Sequence, residues 1–270
     1  MVSEILTLGQ PGGPEGWVLL TLAAVALAAG FVDAVVGGGG LVAIPALFSF
    51  VPQGSPATLF GTNKIAAISG TFVAATRYAR SVRLPWNAVA PALVGAAIFG
   101  WLGAAAVSFL PRDLGQPLVL IMLVVVAVIT LRKKKMGAVH APRLNVAQQR
   151  ALGFAAGSLL GFYDGFFGPG TGAFLVFVFV RFFGYDFLHA SAASKVVNVM
   201  TNLAALAFFL PVGAFFLSAA LLMAVCNIAG AWIGTHLAVK KGSQFVRRFF
   251  LILLAVLILR MAWGTLEMLL

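Results

Sequence analysis

The chain has 270 residues, 61% of them hydrophobic and 9% charged, against roughly 25% charged in soluble domains. Its mean hydropathy is +1.05 and its net charge +11. A soluble globular fold is excluded, and nucleic acid is not an expected partner, because the positive residues cluster in short connections between apolar stretches, where membrane orientation accounts for them. The single cysteine, Cys226, rules out an internal disulfide.

Residues 1–16 hold Glu4 and Glu15 but no Lys or Arg, so the first apolar stretch lacks the basic flank of a secretory signal and reads as a permanent helix. Apolar segments are predicted at 17–36, 41–51, 57–79, 86–109 and 115–131. They are predicted again at 150–167, 172–183, 188–210, 214–239 and 249–268. The second segment of each set is too short to cross a bilayer and follows a glycine-rich break, Gly37-Gly38-Gly39-Gly40 or Gly168-Pro169-Gly170-Thr171-Gly172. Backbone that leaves helical geometry at membrane depth must be buried in protein or line a cavity. Paired breaks of this kind point to a transporter's binding site.

The two sets are copies. At a constant offset of 131 residues, Gly30-Phe31-Val32-Asp33 recurs as Gly161-Phe162-Tyr163-Asp164, and Gly37 and Gly39 recur as Gly168 and Gly170. Lys64 recurs as Lys195, and Trp101-Leu102-Gly103 as Trp232-Ile233-Gly234. The expected fold is an all-α polytopic membrane protein with eight to ten hydrophobic segments, two of them short and Gly-interrupted. Residues 1–131 and 150–270 are its membrane repeats, joined by a basic linker, 132–149, within one integral membrane domain.

Loop charge sets the expected topology. Arg77, Arg80 and Arg83, then Arg132, Lys133, Lys134, Lys135, Arg143 and Arg150, then Lys240, Lys241, Arg247 and Arg248 all fall on one side, the cytoplasmic one. Both termini are then external. The repeat counterpart of the Arg77–Arg83 loop begins at Phe208–Gly213, without charge. The counterpart of the Lys240–Arg248 loop is Phe109–Pro117, with only Arg112 and Asp113. Five segments per half turn the second copy over, which predicts an inverted repeat.

Lys64 and Lys195 carry the strongest chemical signal. A lysine inside a membrane span costs at least roughly 2.5–3.5 kcal/mol, so it has a partner or a task. Snorkelling from near a helix end is the bland alternative, but inverted halves would need it at both faces. Ser191, Lys195, Asn198 and Asn202 form one helical stripe; Gly61, Lys64 and Thr71 mark the equivalent face, with Asn63 and Ser194 beside the lysines. Plain helix–helix hydrogen bonding would also use such residues. Gly38, Gly39, Gly40, Gly170 and Thr171 either permit close packing or open the backbone before a short helix. Its N–H groups and dipole would then favour an anion. Three roles are open to Asp33 and Asp164: pairing with the lysines, proton uptake and release, or capping of exposed N–H groups. If Lys64 neutralises Asp33, the pair Lys64→Met with Asp33→Asn restores stability lost in the single variant. His189 and His236 stand singly near segment ends, and no metal site or cofactor is expected. The sequence contains no nucleotide-binding motif, Ser/His/Asp set or HExxH, so neither ATP drive nor an enzyme is expected.

At these residues the chain resembles the TauE/SafE sulfite-exporter family, the TSUP transporters. The resemblance rests on the paired segments Gly30–Pro45 and Gly161–Phe174, each followed by a helix with a lysine near its start, and on the basic linker. Pro169 and Thr171 interrupt the second tract, which in the family is a run of glycines. The resemblance implies transport of a small sulfur-containing anion, such as sulfite, thiosulfate, sulfoacetate or another organosulfonate, across a bacterial-type plasma membrane. The resulting expectation is a secondary transporter working by alternating access, with a small anion and the bilayer as its partners; whether protons are also partners and its oligomeric state are open. The alternatives are an anion channel of the same architecture and a membrane enzyme or assembly factor handling a sulfur compound.

The topology is directly testable. In a Cys226→Ala background, Ala138→Cys is expected to resist an impermeant maleimide in intact cells and to react once the membrane is opened. Labelling from outside would reject the orientation.

Overall fold

Backbone N–H and C=O groups find no water in hydrocarbon, so a chain this apolar must satisfy them within helices. The computed structural model describes residues 13, 14, 16–110 and 141–269, and its regular elements among these are helical. They are α1 (Trp17–Val36), α2 (Gly40–Phe50), α3 (Pro56–Ser81), α4 (Trp86–Val107), α5 (Val146–Phe166), α6 (Thr171–Val178), α7 (Phe187–Val212) and α8 (Leu217–Leu269). A π-helical turn, Phe179–Phe183, extends α6. Gly242, at φ 70° and ψ −170°, divides α8 between the two segments expected at 214–239 and 249–268. The pairs α2 and α6, α3 and α7, and α4 and α8 begin 131 residues apart, matching the sequence offset. The segment expected at 115–131 and the linker through residue 140 lie outside the described residues.

The protein is an all-α membrane protein. α1, α4, α7 and Leu217–Gly242 of α8 are long and apolar enough to cross a bilayer, while α2 and α6 with its π turn are shorter apolar helices. α3 has the length but carries Lys64, Arg77 and Arg80. Local chemistry sets several starts. Ser55 caps α3 by accepting from the Thr58 N–H, with Pro56 at the first helical position. Asp186 accepts from the Leu188 and His189 N–H groups at the start of α7. Asn145 and Gln148 form a capping box on α5.

The two copies interleave. α5 packs on α4 and α1 packs on α8, each contact joining one half to the other, while α3 and α7 meet in the middle. Small residues bring these helices together. Gly153, Gly157, Gly161 and Gly165 form a stripe on α5, and a Cβ on any of them would overlap Ala88, Ala92, Ala96 or Gly100 of α4. Lipid tails are as apolar as leucine, so such close backbone packing, rather than hydrophobicity, holds membrane helices together. On α1 and α8, Gly30 meets Asn227, and Gly230 and Gly234 meet Leu27 and Phe31.

Two apolar clusters result. One gathers α6 with Ala34–Val36, Tyr78, the start of α4 and the first half of α7. The other gathers α2 with Leu22, Ala26, Leu59, Phe60, Phe209 and the start of α8. Each long central helix therefore passes from one apolar cluster to the other. Its polar residues lie at the crossing.

Gly157→Val places branched carbons against the Ala92 backbone. The variant is expected to lose about 3 kcal/mol or more through overpacking. Leu159→Ala, at a position 71% exposed on the same helix, is expected to stay within about 0.5 kcal/mol of the parent. Melting in detergent compares the two; equal melting temperatures would refute the packing role of the stripe.

Candidate functional site

Four charges lie at the crossing point. Lys64 on α3 and Lys195 on α7 are 2% and 0% exposed, so neither snorkels. Lys64 Nζ donates to Asp164 Oδ2 at 2.6 Å, and Lys195 Nζ donates to Asp33 Oδ2 at 2.8 Å. Each lysine thus pairs with the aspartate of the other half, and exchanging the halves exchanges the pairs. The pairs are not fully equivalent. Thr71 Oγ1 also donates to Asp33 Oδ2, at 3.0 Å. Its counterpart Asn202 donates instead to the Asn198 carbonyl, at 2.7 Å.

The glycine breaks meet beside these pairs. α1 ends at Gly37, held at φ 80°, and the equivalent Gly168 takes φ 90°, a left-handed conformation that favours glycine. The Ala173 N–H donates to the Gly37 carbonyl at 2.9 Å, which ties the start of α6 to the end of α1. Gly172 lies so close to Gly37 that neither position has room for a Cβ. Ser194 Oγ donates to the Gly172 carbonyl at 2.9 Å and anchors the same break to α7. Among the described residues, the N–H groups of Gly39, Gly40 and Gly172 have no acceptor.

A small polar cavity lies between the pairs and the breaks. Asp33, Lys64 and Asp164 line it, with Asn63, Thr71, Asn198, Asn202 and Asn227. Gly37, Gly39, Gly40, Gly168 and Gly172 supply backbone to its wall. The space open to the centre of a water molecule is about 20 Å³, enough for about one water. Asn63 has no side-chain hydrogen-bond partner among the described residues, whereas Asn198 donates to Thr201 Oγ1 at 3.0 Å. Two ammonium groups face two carboxylates, so the cluster is neutral while the pairs hold.

A family model described as sulfite exporter TauE/SafE matches residues 22–261. The chain belongs to the TauE/SafE sulfite exporter family. A probable membrane transporter protein, ORF9, of Sinorhizobium sp is 32% identical over 245 residues, covering 90% of this chain and 92% of the relative. The probable membrane transporter protein YfcA of Escherichia coli K12 is 31% identical over 233 residues, covering 86% and 85%. A probable membrane transporter protein of Haemophilus influenzae is 30% identical over 250 residues, covering 91% and 95%. No solved structure matches the chain. It is a multi-pass membrane transporter of the TauE/SafE type.

In this TauE/SafE chain, the expected site residues divide into two shells. Lys64, Asn63, Asn198, Asn202, Gly39, Gly40, Asp33 and Asp164 border the cavity. Lys195 stands behind Asp33, and Ser194 holds the break. Gly38 is buried within its break, and Gly170 sits at φ 79° ahead of α6. Thr171 is turned back on its own loop, where Oγ1 donates to the Gly168 carbonyl at 3.1 Å. Ser191, on the lysine stripe, is buried without a hydrogen-bond partner among the described residues. His189 pairs with Asp186 at 2.7 Å, and His236 stacks on Trp232; neither borders the cavity.

Asn227 belongs to the cavity wall without having been expected there. It donates to the Ala26 carbonyl at 3.2 Å. Its counterpart under the 131-residue offset is Ala96, so the repeat gives no sign of it. A lone asparagine in an apolar span was the available signal. The sequence left open which aspartate each lysine meets; Lys64 pairs with Asp164 and Lys195 with Asp33, because α3 reaches the end of α5 across the interleaved halves.

The crossed pairing makes a specific double-variant prediction. Lys64→Met leaves Asp164 buried and unpaired and is expected to cost roughly 3–5 kcal/mol. Adding Asp164→Asn is expected to restore most of the melting temperature, whereas adding Asp33→Asn is not. Equal rescue by both would contradict the crossed arrangement.

Proposed function

We propose that this chain is a secondary transporter that carries a small sulfur-containing anion across the cell membrane by alternating access. The carrying observation is the small polar cavity where both halves meet, with crossed ion pairs and, among the described residues, unpaired N–H groups at the starts of α2 and α6. The family name, sulfite exporter, supports the sulfur oxyanion. Sulfite, thiosulfate and organosulfonates such as sulfoacetate present oxygens that these N–H groups, Asn63 and a released ammonium would bind.

The anion needs more room than about 20 Å³. Binding therefore requires the breaks to separate and at least one ion pair to open. An anion would replace a carboxylate as the partner of Lys64 or Lys195. A proton taken up by Asp33 or Asp164 would leave that carboxyl neutral and free the ammonium for the anion, which would couple proton and anion movement. Opposite orientation of the halves, with the basic linker cytoplasmic, would let the same contacts rebuild toward either face.

A thermal-shift panel of sulfite, thiosulfate, sulfoacetate, taurine, sulfate and acetate identifies the ligand, and calorimetry measures it. Charge-neutral double variants, Lys64→Met with Asp164→Asn and Lys195→Met with Asp33→Asn, are expected to fold and bind about tenfold or more weakly, since one charge-assisted bond contributes roughly 1.5–3 kcal/mol. In proteoliposomes the parent is expected to show saturable counterflow. Unchanged affinity in both double variants would reject the site; unsaturating conductance would reject the carrier.

A further inference from the structure

A second constellation of cations lies away from the transport cavity, at the end of α3 and the middle of α8. Arg77, Arg80 and Ser81 face Trp232, His236 and Lys240 across an open recess of about 480 Å³. Among the described residues no carboxylate lines it, and none lies within ion-pair distance of these cations. The cluster is organised around one aromatic ring. The Arg77 guanidinium sits 4.9 Å from the centre of Trp232, and the His236 ring stacks nearly parallel on the same indole at 5.9 Å. Arg77 Nη2 lies 3.5 Å from His236 Nδ1. Cations held together without an acidic partner repel one another, and an anion seated among them would relieve that cost.

The recess continues into an apolar ridge. Leu221, Val225, Ile228 and Trp232 are all exposed and succeed one another at spacings of four, three and four along α8. The eleven residue steps from Leu221 to Trp232 rise about 16 Å, roughly one leaflet of a 30 Å hydrocarbon core. Trp232 stands where the apolar ridge gives way to charge, the usual place of an interfacial tryptophan.

We infer that this recess is a binding site for an anionic phospholipid of the surrounding bilayer. Its phosphate is held by Arg77, Arg80 and Lys240, and one acyl chain lies along the Leu221–Trp232 ridge. A soluble phosphate would use the cations alone and leave the ridge unexplained. An acidic peptide could not follow a ridge that faces hydrocarbon. The site joins α3, which carries Lys64, to α8, which packs against α1, so a bound lipid would bridge two elements of the interleaved halves.

The test uses the purified full chain, with lipid adducts counted by native mass spectrometry and melting recorded in parallel. Phosphatidylglycerol is expected to be retained in preference to phosphatidylcholine and to raise the melting temperature. Arg77→Gln with Arg80→Gln and Lys240→Gln is expected to lose retention by roughly fivefold for each cation removed. Arg83→Gln with Lys241→Gln, at positions outside the recess, is expected to retain the lipid. Melting in phosphatidylcholine alone reports whether the triple variant folds; Lys240→Gln, at an exposed position, carries the test if it does not. Equal losses in the recess and control variants would reduce the effect to bulk charge and overturn the site. Equal stabilisation by glycerol phosphate would show a site for free phosphate and overturn the lipid assignment, as would the absence of any phosphatidylglycerol preference.

Discussion

Four charges buried at the crossing of the helices constrain the rest of the molecule. Each would be costly alone, and each finds its opposite charge on the other half. A buried pair contributes little net stability, since desolvation consumes most of the Coulomb attraction. Removing one partner, however, is severe. The pairs therefore act less as glue than as a condition on geometry: arrangements that leave Lys64 away from Asp164, or Lys195 away from Asp33, are excluded. The interleaving of α4 with α5 and of α1 with α8 satisfies that condition twice.

The small residues make the arrangement sterically possible. A polar centre can be enclosed only if the helices around it approach closely, and the Gly153–Gly165 stripe lets α5 reach α4 at backbone distance. The breaks obey the same logic. Gly37 and Gly172 fit against one another because neither carries a Cβ, and the short helices that follow them run into opposite apolar clusters. A well-packed apolar surround strengthens every interaction in the centre and makes an unpaired charge there more costly.

The proposed transport chemistry would follow from this balance. A permanently paired lysine cannot serve an anion, and a permanently free one could not be buried. Under that proposal the two carboxylates would be internal substitutes for the anion. Anion oxygens and carboxylate oxygens can both partner an ammonium group, which would link binding to the relative position of the halves.

Much of this was legible in the chain itself. Helices follow from hydropathy and from the need to satisfy backbone groups without water, so α1 to α8 sit close to the expected segments. The repeat marked Asp33, Lys64, Asp164 and Lys195 because a duplicated charge in an apolar span is rarely accidental. Partner choice was not legible. Lys64 and Asp164 are 100 residues apart and Lys195 and Asp33 are 162 apart, and no local period reports which helices will meet. Nor could the chain alone place Lys195 behind Asp33, turn Thr171 onto its own loop or bring Asn227 to the cavity. The sequence by itself determined the helices, the duplication and the charged residues, since these depend on local hydropathy and spacing. Only the tertiary structure decided the pairs and the wall of the cavity, because both depend on how closely helices distant in the chain can approach.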